Sequence, residues 1–109
     1  MRRTVRSDSF RDFALEQLRE VRDVVCRSMF GGHGLYAGGR FFGIIFQGRL
    51  YFKVSEASQD RYTAAGMKPF KPSAKMTLKS FYELPADVLE STEEITQWAM
   101  TAIQAARVK

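Results

Sequence analysis

Arg40-Phe41-Phe42-Gly43-Ile44-Ile45-Phe46-Gln47-Gly48-Arg49-Leu50-Tyr51-Phe52-Lys53-Val54 is the stretch on which the fold turns. Gln47-Gly48 separates two runs of β-forming residues, where a two-residue hairpin turn belongs. After the turn the pattern alternates: Leu50, Phe52 and Val54 point one way, and Arg49, Tyr51 and Lys53 the other. Before the turn it does not. A period of two predicts Phe42, Ile44 and Phe46 on one face, yet Phe41 and Ile45 make the opposite face apolar as well. A strand apolar on both faces is buried on both. The cover for the second face must come from another helix, a loop or a second copy of the chain.

Toward the N-terminus, glycines 31, 32, 34, 38 and 39 punctuate an aromatic-rich segment. It predicts one strand over residues 27–37, bent at its glycines, and a turn at Gly38-Gly39. Before it, Phe10, Phe13, Ala14, Leu18, Val21, Val24 and Val25 recur at three- and four-residue spacing, which predicts a helix over residues 7–25. Ser9 with Asp12 three residues on supplies an N-terminal cap. Toward the C-terminus, residues 55–65 predict a short helix capped by Ser55 or Ser58 and stopped by Gly66. Residues 67–72 predict a loop or edge strand, because Pro69 and Pro72 each lack a ladder donor. Residues 76–84 predict a strand, and Pro85 the start of a helical turn. Ser91 or Thr92 then caps a last helix, whose stripe is Ile95, Trp98, Ala99, Ala102, Ile103 and Ala106. The order is helix, three strands, helix, one or two strands, helix. Hairpins without long crossovers give an antiparallel sheet of about five strands, and the whole is a two-layer α+β domain spanning residues 1–109.

The 109 residues are 45% hydrophobic and 27% charged, which is globular usage for one domain. The longest apolar run, residues 41–46, is too short to cross a bilayer. The basic N-terminus has no apolar region behind it, so no secretory signal is expected. The single cysteine, Cys26, cannot form an intrachain disulfide, and a reducing cytoplasm is the simplest compartment.

The net charge of +5 invites a nucleic-acid reading, but its distribution weakens it. Residues 61–82 hold five basic groups and no acid, and residues 83–106 hold five acids and no base. If these blocks face each other they neutralise each other, and the surplus falls to the two ends, at Arg2, Arg3, Arg6, Arg107 and Lys109. Tyr51 flanked by Arg40, Arg49 and Lys53 would be a stacking platform for a single strand, or equally a solvated face or the rim of a protein contact.

No catalytic set emerges. Cys26 and His33 lie seven residues apart with no orienting third group and no acidic cluster, so neither a thiol nucleophile nor a metal site is expected. Gly31-Gly32-His33-Gly34 lacks the Gly-Lys-Ser/Thr ending of a phosphate loop and feeds a strand where an anion site needs a helix. No cofactor is expected, and the residues alone describe an interaction domain.

Arg27-Ser28-Met29-Phe30-Gly31-Gly32-His33-Gly34-Leu35-Tyr36, Gly39-Arg40-Phe41-Phe42-Gly43 and Leu50-Tyr51-Phe52-Lys53-Val54 together resemble the N-terminal domain of TfoX/Sxy-type competence regulators. Ala65-Gly66-Met67-Lys68-Pro69-Phe70 and residues 81–89 extend the resemblance to nearly the whole chain. It implies a bacterial cytoplasmic protein, often dimeric, with a compact fold similar to that of secretion chaperones. It implies a role in expression of DNA-uptake genes, alongside a cyclic-AMP-responsive activator, and no enzymatic activity. The full-length regulators carry a second, C-terminal domain that resembles helix-hairpin-helix modules, so this sequence reads as a stand-alone copy of the first.

The expected function is therefore a non-catalytic protein-interaction domain, an accessory to a transcription activator, with a homodimer as the simplest cover for the apolar strand. Phe30, Phe41 and Ile45 are its expected contacts where the helices leave them uncovered. The alternative is non-specific nucleic-acid binding through the basic ends and the Arg40, Arg49, Tyr51 and Lys53 face.

Overall fold

The structure, a computed structural model, describes residues 2–29 and 31–106, with side chains from Ser9 onward. Phe30, Arg107 and Lys109 lie outside the described residues, as do the side chains of Arg2, Arg3 and Arg6. The elements are α1 (Arg2–Gln17), β1 (Val24–Met29), β2 (Gly32–Ala37), β3 (Arg40–Phe46), β4 (Arg49–Lys53), α2 (Glu56–Ala64), β5 (Pro69–Ser73), β6 (Met76–Glu83), α3 (Ala86–Leu89) and α4 (Thr92–Ala105). Six strands form one antiparallel sheet in the order β1-β2-β3-β4-β6-β5. The domain is α+β with two layers. Among the described residues no helix is long and apolar enough to cross a membrane.

Three features depart from the sequence pattern. The first helix starts before Ser9, because nothing between Arg2 and Ser9 breaks a helix, and it ends at Gln17 rather than continuing to Val25. Asp23, at φ 61°, turns the chain out of the helical direction, and Val24 opens β1. Val21 and Val24 still face the core, which is why their spacing imitates a helical stripe. Val25 is 48% exposed, on the other face of β1. Second, residues 27–37 are not one bent strand. Gly31, at φ 81°, closes a hairpin between β1 and β2, with Met29 opposite Gly32, and this supplies the sixth strand.

The third departure decides the site. Leu35 pairs with Gly43 but Tyr36 pairs with Phe41, so Phe42 is an extra residue on β3. A bulge of this kind changes the phase of a strand. Phe42 and Ile45 pack into the cluster under the helices, whereas Phe41, Ile44 and Phe46 belong to the cluster on the opposite face. The strict period of two therefore misassigned Ile44, Ile45 and Phe46.

The two hairpin turns of the sheet centre follow the expected chemistry. Gly38-Gly39 (φ 59° and 82°) and Gln47-Gly48 (φ 52° and 74°) place both central residues in the left-handed region, as a type I′ turn requires. The helices all cover one face. Ala14 of α1, Leu18 just beyond it, Tyr62 of α2, Val88 of α3 and Ile95, Ala99 and Ala102 of α4 pack on Leu35, Phe42, Ile45, Leu50 and Phe52. Tyr62 meets the Trp98 ring edge-on at 4.8 Å, and the Arg61 guanidinium lies 4.2 Å over that ring. Gln17 Nε2 donates to the Leu89 carbonyl at 3.0 Å, tying α1 to α3. Ser91 caps α4 by accepting from the Glu94 amide at 3.1 Å.

Candidate interaction surface

The face away from the helices carries a second apolar layer. Ile44, Tyr51, Phe70 and Phe81 are buried there, with Phe41, Phe46 and Leu78 packed against them. Half of this face is closed by the sheet itself. Phe70 of β5 is fully buried, 4.7 Å from Tyr51 and 5.3 Å from Phe46 between ring centroids, so the β5–β6 hairpin curls back over β3 and β4.

The other half is open. Tyr36 stacks on Phe41 at 5.1 Å and 24°, and Phe41 meets Phe81 at 5.1 Å. Arg27 lies 5.8 Å over Tyr36, and the Lys53 ammonium lies 5.4 Å over Phe81. This makes one row of aromatic rings and cations crossing five strands. Tyr36, Phe41, Lys53 and Phe81, with Ala105 and Ala106 at the end of α4, line a cleft of about 460 Å³. Aromatic rings at a half-open surface, flanked by cations, give large contact area with little side-chain entropy to lose.

The sequence-derived contact residues separate on this geometry. Phe41 lies in the row. Ile45 does not: at 3% exposure it is sealed under the helices, because the bulge reverses its face. Arg40 also turns to the helix side, where Nη1 donates to the Ile103 carbonyl at 3.2 Å. Arg49, Tyr51 and Lys53 do share the outer face, but not as a free basic platform. Arg49 Nη1 donates to both Glu83 carboxylate oxygens, at 2.9 and 3.0 Å. Tyr51 is 8% exposed, and burial raises its phenol pKa, with Glu83 adding to the rise and Arg49 opposing it. Of the readings open for Tyr51, neither a stacking platform nor a solvated face fits a ring that is a covered core contact. Phe30 lies outside the described residues.

Sequence reasoning missed Tyr36, Phe81 and Arg27. Tyr36 was hidden when β1 and β2 were read as one strand. Phe81 is forty positions from Phe41, and only the pairing of Lys53 with Phe81 brings it in.

Cys26 and His33 occupy neighbouring strands out of step, Cys26 opposite Leu35 and His33 opposite Ser28. Cys26 packs against the helix-side core, and burial raises its thiol pKa although Arg11 pulls the other way. A nucleophilic thiol needs the opposite shift. Among the described residues no three His, Cys, Asp or Glu side chains gather as a metal would require.

No ion pair joins the two opposite charge blocks among the described residues. Among the described residues, only Glu83 of the five acids in residues 83–106 has a cation within ion-pair distance, and that cation is Arg49, from outside the basic block. Lys68, Lys71, Lys75 and Lys79 have no carboxylate within that distance among the described residues.

No curated protein matched the chain. A family model for the TfoX N-terminal domain matches residues 16–106, from the last turn of α1 through α4, and so takes in the whole sheet and the open aromatic row: the chain belongs to the TfoX N-terminal domain family.

Proposed function

We propose that this domain is a non-catalytic protein-interaction module that acts in the cytoplasm as an accessory to a transcription activator of DNA-uptake genes. The observation that carries the reading is the row Tyr36-Phe41-Phe81, in which Tyr36 and Phe41 stay half-buried beside the end of α4 while the described helices pack on the opposite face. Family membership supplies the competence setting. Rings presented in this way serve as anchors for a protein partner, and truncating such anchors typically costs about 2 kcal/mol or more of binding.

The test is calorimetric titration of the purified chain with the host's cyclic-AMP-responsive activator. The double variant Tyr36→Ala/Phe41→Ala is expected to bind at least about tenfold more weakly. A thermal melt checks that the variant is folded, and sedimentation separates self-pairing of the row from capture of the activator. Equal affinity of a folded double variant would overturn the assignment of this face.

A further inference from the structure

The cations expected to meet nucleic acid are already engaged. Arg40 bonds a carbonyl, Arg49 a carboxylate, and Lys53 lies on a ring. Four lysines without a carboxylate within ion-pair distance among the described residues stand elsewhere, on and directly before the β5–β6 hairpin. We propose that this hairpin is a binding element for the phosphate backbone of nucleic acid, carried by Lys68, Lys71, Lys75 and Lys79.

Four observations converge. The four ammonium groups are exposed and have no carboxylate within ion-pair distance among the described residues. Three lie on the β5–β6 hairpin and Lys68 directly precedes β5, with no acid between residues 61 and 82. Lys71 follows the fully buried Phe70, and Lys79 follows the half-buried Leu78, so the alternation that turns those side chains inward turns both lysines to solvent. Lys75 stands in the turn, where its amide donates to Ser73 Oγ at 3.3 Å, and residues 73–77 are exposed without interruption. The base of the arm is meanwhile fixed by Phe70 against Tyr51 and Phe46. The result is a two-stranded ribbon anchored at Phe70, with Lys71 and Lys79 beside the Phe70–Leu78 pair and Lys75 at the tip, of a kind that fits a duplex groove.

Phosphate is favoured over other anions by the residue type. Every cation on the arm is a lysine, a point charge suited to phosphate oxygens, and none is the planar fork that pairs carboxylates in two places. A membrane surface is the weaker fit. Met76, 52% exposed, is the one large apolar side chain exposed at the tip, and no aromatic ring accompanies it. Recognition through lysine and phosphate alone is independent of base sequence.

The experiment is fluorescence anisotropy of the full chain with a short labelled DNA duplex of arbitrary sequence, across a salt series. Four phosphate contacts predict about a hundredfold loss of affinity between 50 and 200 mM monovalent salt, and the variant Lys71→Ala/Lys75→Ala/Lys79→Ala should flatten that to about fourfold. Each substituted side chain is exposed, and a matched thermal melt confirms folding. The variant Arg49→Ala/Lys53→Ala should leave the salt slope unchanged. A triple variant with the full slope, or no duplex binding by the unmodified chain at 50 mM salt, would overturn the proposal. So would retention of the chain by phosphatidylserine vesicles at salt concentrations where the duplex does not bind.

Discussion

At the scale of single residues, the sheet centre tolerates very little added volume. A Cβ on Gly32 would strike the backbone carbonyl of Ile45, which cannot swing aside, and would stand 3.1 Å from the Phe46 ring. A Cβ on Gly34 would meet the thioether end of Met29 at 2.6 and 2.9 Å, a flexible side chain that can move away. Gly32→Ala is therefore expected to destabilise the fold by about 1–3 kcal/mol, the usual cost of overpacking, and Gly34→Ala by clearly less. Urea unfolding of the two variants checks the order. Both glycines are plain in the sequence, but the asymmetry between them is not. It depends on which atom lies across the ladder, and that is set by the registers of β3 and β1 against β2.

At the scale of elements, legibility followed how local each signal was. The helix over residues 55–65, its cap and its stop came from neighbouring residues and are present almost as expected. Ser55 Oγ accepts from the Ser58 amide at 3.2 Å, and Ser58 Oγ accepts from the Ser55 amide at 2.9 Å. Ser55→Ala is expected to cost about 1 kcal/mol, read as a lower urea midpoint with an unchanged slope. Where one pattern serves two structures, the sequence misleads. Val21, Val24 and Val25 have helical spacing, yet two of them reach the core from a turn and a strand. The bulge at Phe42 left no mark in composition, because every residue around it is apolar or glycine. One unpaired residue there moved Ile45 from the expected contact surface to the core. The open row was equally illegible, since it joins residues from five strands and β6 arrives only after α2 and β5.

For the molecule as a whole, burial of ionisable groups sets the pH range of stability. Burial raises the pKa of the Tyr62 phenol, with Arg61 opposing, and raises those of the Tyr51 phenol and the Cys26 thiol. In each case the folded chain holds the proton more tightly than the unfolded chain. Their contribution is thus fully present below the unfolded values and is lost as pH rises past them. Thermal stability should be level near neutrality, begin to fall above about pH 9, where the unfolded thiol ionises, and fall further above about pH 10 with unfolded tyrosine. Tyr62→Phe should flatten that fall, which melting curves across an alkaline pH series would show.

The two margins of the sheet are unlike. Two of the five residues of β5 are prolines, Pro69 and Pro72, whereas β1 has neither proline nor glycine. A backbone ladder can therefore be continued from one border and is obstructed at the other. Stacking copies edge to edge needs both borders of every copy, so this route to filaments stops after a single joining event.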